Sequence, residues 1–296
     1  MNDLSIPHRL SRCVAWFAPV VLLLVLISGC AQEARTSAEQ QSKPVTKIVS
    51  LSPGTTEVVF AMVDPRLVVG RTSACDWPEP AENVPIVATT KPDYEQLRAI
   101  NPDLVVYDAD LYSDDEIEKI RQLGIETFAF NPKNLEEYEL LVTQLGSRAH
   151  RELTASAQLD TIHGSILMAR QDAPNPPVPA MFVTVGGGDY LAAGTKSFLA
   201  DIASNAGIEV VGPDSTKFEP MSAEAIVQAN PAIIFVAGRE AQGIEVARDP
   251  RLATVRAVQA EQIYAVDPDL LLRRGARVKL LIDGLSRIMI AKGTEQ

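Results

Sequence analysis

The sequence predicts two α/β lobes, each with a mainly parallel sheet covered by helices, joined by one long helix. Three observations carry this. From Lys47 onward, short β-branched or apolar runs alternate with helical stretches, the alternation expected of parallel strands with helical crossovers. Residues 135–173 then have almost no strand signal, while Leu145, Ala149, Leu153 and Ala157, then Ile162 and Ile166, recur at four-residue steps, as on one face of a helix. Finally, Glu95-Gln96-Leu97-Arg98-Ala99-Ile100-Asn101-Pro102 before Asp103-Leu104-Val105-Val106 is echoed by Glu224-Ala225-Ile226-Val227-Gln228-Ala229-Asn230-Pro231 before Ala232-Ile233-Ile234-Phe235. Each copy is a short helix, an Asn-Pro stop and a buried strand, since proline disfavours helix in the residue before it.

The N-terminus is a separate matter. Arg9 and Arg12 precede an apolar run from Val14 to Ile27, followed by Ser28-Gly29-Cys30. That layout fits a signal peptide, and about 14 residues of helix reach only about 21 Å, short of a hydrocarbon core of about 30 Å. Ile27-Ser28-Gly29-Cys30 resembles the bacterial lipoprotein box, which implies cleavage, acylation of Cys30 and a membrane anchor. Plain secretion or an uncleaved anchor are the alternatives, and each leaves the remainder outside the cytoplasm. Residues 31–46, rich in Gln, Ser, Glu and Ala without a hydrophobic period, are expected to be a flexible tether.

The expected organisation is therefore a signal peptide over 1–30, the tether over 31–46, a first lobe over 47–147, a connecting helix over 148–173 and a second lobe over 174–296. Strands are predicted at 48–51, 67–70, 104–107 and 126–130, then at 180–185, 209–211, 233–236 and 263–266. Four prolines between Pro174 and Pro179 end the connecting helix.

Composition excludes several classes of function. Without residues 1–30 the chain has 25 basic and 37 acidic side chains, a net charge of −12 with histidines neutral, which argues against nucleic-acid binding. Cys75 is then the only cysteine beyond the anchor, so no internal disulfide forms. His150 and His163, the only histidines of that portion, fall in the helical linker, so neither a metal site nor a catalytic base is expected in the cleft. No Walker loop or Gly-x-Ser-x-Gly elbow is present. Gly186-Gly187-Gly188 follows a strand, but Leu191 stands where a dinucleotide fingerprint needs its third glycine, so a turn is expected there. No catalytic residue and no cofactor is expected.

Ser52 can cap a helix entered through Pro53, directly after the strand at 48–51. Such a turn at a strand's carboxyl end opens onto a ligand crevice. Ile48 to Met62, Cys75-Asp76-Trp77-Pro78, Asn101 to Val106, and Ala193-Gly194-Thr195-Lys196-Ser197-Phe198 leading to Ala206-Gly207-Ile208-Glu209-Val210-Val211 together resemble the iron-siderophore and cobalamin class of periplasmic binding proteins, in order and spacing, over about residues 47–289.

The resemblance implies a ligand cleft between the lobes and docking onto the permease dimer of an ABC importer with its ATPase subunits. Its ligand would be a small metal chelate: a corrinoid, a ferric siderophore or haem. Ala74 and Thr89 or Thr90 stand where the cobalamin-binding member has aromatic contacts. Trp77, Tyr107, Tyr112 and Tyr190 could stack on a ligand or supply phenolates, or simply pack at strand ends. Asp269, Leu270, Leu271, Leu272, Arg273 and Arg274 align with a ligand-contacting loop, whose leucines need burial in the core or against a ligand, and whose arginines suit an anion or a solvated turn. Glu95 and Glu224, at matching positions of the echo, correspond to the lobe glutamates that meet permease arginines. An enzyme of the two-lobed tetrapyrrole chelatase kind and a lipoprotein scaffold with an unused cleft are the competing readings.

Overall fold

The computed structural model of the protein describes residues 45–186 and 189–293. Cys30, the segment 1–30 and the tether up to residue 44 lie outside the described residues, as do Gly187 and Gly188.

The first sheet is parallel throughout, in the order β3-β2-β1-β4-β5. Its strands are β1 (Ile48–Ser50), β2 (Val68–Thr72), β3 (Ile86–Ala88), β4 (Leu104–Tyr107) and β5 (Glu126–Ala129). Helices α1 (Pro53–Met62), α2 (Tyr94–Ile100) and α3 (Asp114–Gln122) intervene. Two helices follow, α4 (Leu135–Arg148) and α5 (Glu152–Gln171). The expected helix from 148 begins only at Glu152, because His150 takes a left-handed φ of 53°, a conformation that stops a right-handed helix.

The second sheet runs β11-β10-β6-β7-β9, with β8 paired to the start of β6. Here β6 is Val178–Gly186, β7 Asp189–Ala193, β8 Ile208–Val210, β9 Phe218–Met221, β10 Ile233–Ala237 and β11 Ile263–Val266. Antiparallel pairing of Gly186 with Asp189 makes neighbours of β6 and β7; the turn expected at Gly186-Gly187-Gly188 falls partly outside the described residues. Strands β7 and β9 escape sequence patterning: β9 carries Pro220, tolerated because it lies at the sheet's edge.

The echo has a structural counterpart. In each lobe the first strand (β1, β6) neighbours the echo strand (β4, β10), which neighbours the last strand (β5, β11). Asn101 and Asn230 both close their helices in the left-handed conformation, with φ of 47° and 44°, where asparagine is among the few residues at ease.

A single apolar core runs through both lobes. It joins Val106 and Phe128 to Phe182 and Phe235 through Tyr138 and Leu145 of α4 and Ile162 and Ile166 of α5. Leu281 and Leu285 of the final helix α11 (Val278–Gly293) complete it. Separate clusters lie under the outer helices of each lobe.

Candidate functional site

The site begins where β1 turns into α1. Ser52 accepts the Thr55 N–H at 3.2 Å and Pro53 occupies the first turn, as a strand followed by Ser-Pro dictates. Behind this cap lies a buried hydroxyl chain. Ser50 Oγ meets Thr55 Oγ1 at 2.7 Å, and Thr56 Oγ1 lies within hydrogen-bond distance of Ser50 Oγ and of Cys75 Sγ, each at 2.9 Å. The chain ties α1 to the turn carrying Asp76 and Trp77.

That turn has a second support. Arg71, buried within β2, gives its guanidinium entirely to carbonyls: Nε to Val84 at 3.1 Å, Nη1 to Thr72 and Cys75 at 3.0 Å each, and Nη2 to Glu82 at 2.9 Å. A planar fork with five donors can hold four carbonyls in one loop, which an ammonium cannot.

Opposite stands the second lobe's loop. Pro268–Leu272 is a short helix, α10, rather than an open loop, because Asp267 caps it by accepting the Asp269 N–H and Pro268 fits its first turn. Leu271 is buried in the common core, Leu270 is half-buried, and Leu272 stays 48% exposed.

Three arginines leave this loop and each meets carboxylates of the first lobe. Arg273 Nη1 donates to Asp76 at 2.8 Å and its Nη2 lies 2.8 Å from Asp269. Arg274 Nη2 donates to Asp108 at 2.7 Å and Asp110 at 3.0 Å. Arg277 Nη2 donates to Glu57 Oε1 at 2.6 Å while its guanidinium stacks on Trp77, 4.9 Å from the ring centre. Glu57 is 1% exposed, and its Oε2 and the Arg277 Nε have no hydrogen-bond partner. Gly275 is required here: a Cβ would stand 2.2 Å from Glu57 Oε2.

These pairs shift the carboxyls. Its hydrogen bond from Arg273 holds Asp76 below the usual carboxylate range. Burial works against ionisation of Asp110, but Lys217 and Arg274 outweigh it and hold this carboxyl well below that range.

Not all predicted site residues converge. Trp77, Asp269, Leu272, Arg273 and Arg274 do, at the carboxyl ends of the strands. Tyr107 is buried among Leu97, Ile117 and Ile120, on the layer beneath α2 and α3. Tyr190 is buried likewise with Met181, Val236 and Leu252, and its hydroxyl donates to Asp249; burial and that carboxylate push its pKa up, away from a phenolate. Tyr112 is pushed up to about 12 by burial. His163 pairs with Glu139 at 2.7 Å between α4 and α5. Glu95 and Glu224 are exposed in the first turns of α2 and of α7 (Ala223–Ala229). Sequence reasoning missed Glu57, Asp108 and Asp110, although Tyr107-Asp108-Ala109-Asp110 at the end of β4 offered the signal.

Two concavities flank the arginines. One of about 390 Å³ lies between the lobes, bounded by Asp110, Leu111, Lys133, Phe198, Lys217 and Leu272 among others. The other, about 960 Å³, sits on the second lobe's strand ends at Val185, Ala237, Arg239, Gln242 and Asp267.

Over residues 48–270 the chain matches the family described as periplasmic binding protein. It belongs to that family. The uncharacterized ABC transporter substrate-binding lipoprotein YvrC of Bacillus subtilis (strain 168) is 26% identical over 306 residues, covering 94% of this chain and 96% of its own. Among solved structures, the periplasmic vitamin B12 binding protein BtuF of Vibrio cholerae superposes with a TM-score of 0.73 at 21% identity, over 86% of this chain and 99% of its own. The periplasmic heme binding protein HutB of the same organism gives 0.72 at 20% identity, over 82% and 98%. The two-lobed fold is theirs, and the chain is a substrate-binding protein of the family.

Proposed function

We propose that this periplasmic binding protein is the lipid-anchored receptor of an ABC importer, which captures a metal chelate between its lobes and passes it to the permease. The observation that carries this is the cleft itself: the strands of two equivalent lobes end at one crevice, where three arginines of one lobe meet carboxylates of the other. An anchor at Cys30 keeps the protein outside the cytoplasm, in line with the lipoprotein relative. Relatives of the same fold named for vitamin B12 and for heme support a corrinoid or haem as ligand, with a ferric siderophore as the third candidate chelate.

Capture needs contacts, not bond-making. Trp77 and Leu272, 38% and 48% exposed, offer apolar surface to the ligand, and Arg273 and Arg274 offer charge. Asp269 orients Arg273, and Leu270 and Leu271 seat the loop. Tyr107 and Tyr190 support the strand ends from behind. Glu95 and Glu224, one per lobe on equivalent helices, present like charges to the two permease subunits, as a pseudo-twofold partner requires.

The test is uptake. Cells deleted for this chain should lose import of labelled cobalamin, haemin or a ferric siderophore and regain it with the wild-type chain. Unchanged import of all of them would overturn the proposal.

A further inference from the structure

Asp110 collects cations from both lobes. Lys217 Nζ and Arg274 Nη2 of the second lobe each lie 3.0 Å from it, and Lys133 Nζ of the first lobe lies at 3.5 Å. Arg274 also reaches Asp108 at 2.7 Å. These three cations thus face two carboxylates, a local surplus of one positive charge in a chain of net charge −11. Such a surplus against the prevailing sign attracts anions into a cleft.

Asp110, Lys133, Lys217 and Arg274 border the cavity of about 390 Å³, whose remaining walls include Leu111, Phe198, Phe218 and Leu272. Leu111 is 57% and Leu272 48% exposed, so apolar surface stands open beside the cations. An apolar wall with a few convergent polar groups is the lining of a small-molecule site, and with cations it suits an amphipathic anion. Asp110 itself supplies the anion at that point. Its carboxyl remains ionised because Lys217 and Arg274 outweigh the opposing effect of burial. The Lys217 side chain, 58% exposed, can turn from Asp110 to another oxygen at little cost, as flexible lysines do.

We propose that Lys133, Lys217 and Arg274 form an anion seat in the interlobe cavity, and that Asp110 is a built-in competitor which a carboxylate, catecholate or phosphate of the ligand must displace. Asp110 thereby sets the cleft's selectivity. Neutral ligands gain nothing from the seat, weak anions lose to a carboxylate that is already in place, and only a multiply anionic, partly apolar ligand wins. The inference rests on the chelate-binding reading above and specifies the charge of the chelate.

The experiment titrates the full-length chain in detergent with haemin, which carries two carboxylates, and with dicyanocobinamide, whose side chains are amides, followed by absorbance with micelle blanks subtracted. Asp110→Asn should tighten haemin about tenfold, equivalent to 1.4 kcal/mol, and leave dicyanocobinamide within about twofold. Lys217→Gln, at an exposed side chain where folding is not at stake, should weaken haemin about three- to tenfold. If Asp110→Asn weakens haemin or leaves it unchanged, or if Lys217→Gln has no effect, the seat is overturned while chelate binding stands. Binding of dicyanocobinamide alone, by wild type and variants equally, has the same consequence. Failure of the wild type to bind either compound overturns the seat and removes haem and corrinoid from the ligand class, leaving the chelate reading to the ferric siderophores of the uptake test above.

Discussion

Glu57→Gln tests whether the lobes are held by a buried ion pair. The Glu57 carboxylate is 1% exposed, the Arg277 side chain 11%, and Oε1 accepts from Nη2 at 2.6 Å. Neutralising one partner of a buried pair costs about 3–5 kcal/mol, because the other charge stays out of water. Arg277 would retain Asp269 at 3.5 Å and the Trp77 ring, so the lower end, about 3 kcal/mol, is expected. In a domain of this size that corresponds to a fall in Tm of about 6–12 °C. Urea and thermal unfolding measure both quantities. Glu57→Gln combined with Arg277→Met removes both charges and should recover most of the loss, since a buried pair exchanged for neutral groups is often nearly free of cost. A single variant within about 1 kcal/mol of wild type, or a double variant as unstable as the single, would refute the reasoning.

Other outcomes follow from the same geometry. Arg71→Lys should cost about 2–4 kcal/mol by stranding the carbonyls of Thr72, Cys75, Glu82 and Val84, with faster amide exchange over residues 72–84; unchanged protection there would count against it. Glu95→Lys with Glu224→Lys should abolish uptake while ligand affinity and Tm stay near wild type, and normal uptake by this double variant would sink the docking role. Acid should destabilise the fold. Asp76 is held below its ordinary range by Arg273, and Asp249 at about 2 by its hydrogen bonds from Arg251 and Tyr190. Carboxyls depressed on folding contribute above the unfolded pKa, near 3.9, and lose that contribution as pH falls through the folded value. Tm should therefore be flat above about pH 5 and drop below about pH 4; a rise on acidification would contradict these pairs.

Much of the fold was legible because its signals are local. Ser52-Pro53 after an apolar run announces a helix start, and Asn101-Pro102 and Asn230-Pro231 announce helix stops, each from neighbours within a few residues. The short β3, the inner strand β7 and the edge strand β9 were not legible, since Asp189–Ala193 lacks β-branched residues and Pro220 breaks the pattern of β9. The helix at Pro268–Leu272 was legible in principle, since Asp267-Pro268 repeats the logic of Ser52-Pro53. The site was legible only by half. Its arginines stand in one run, but Arg277 meets Glu57 across 220 residues and Arg274 meets Asp108 across 166, distances at which pairing depends on how the lobes close. Tyr107 and Tyr190 show the complementary limit: in a strand buried on both faces, such as Leu104–Tyr107, alternation does not tell which face a side chain takes.

Whether the cleft holds a metal chelate is decided most directly by thermal unfolding of the protein with cobalamin, cobinamide, haemin and ferric siderophores at saturating concentration. One of these should add about 2.7 kcal/mol at 100 times its Kd, saturating at one ligand per chain and weakened by Arg273→Ala or Trp77→Ala. If none of them moves the transition at concentrations that saturate known chelate receptors, the cleft is not a chelate site.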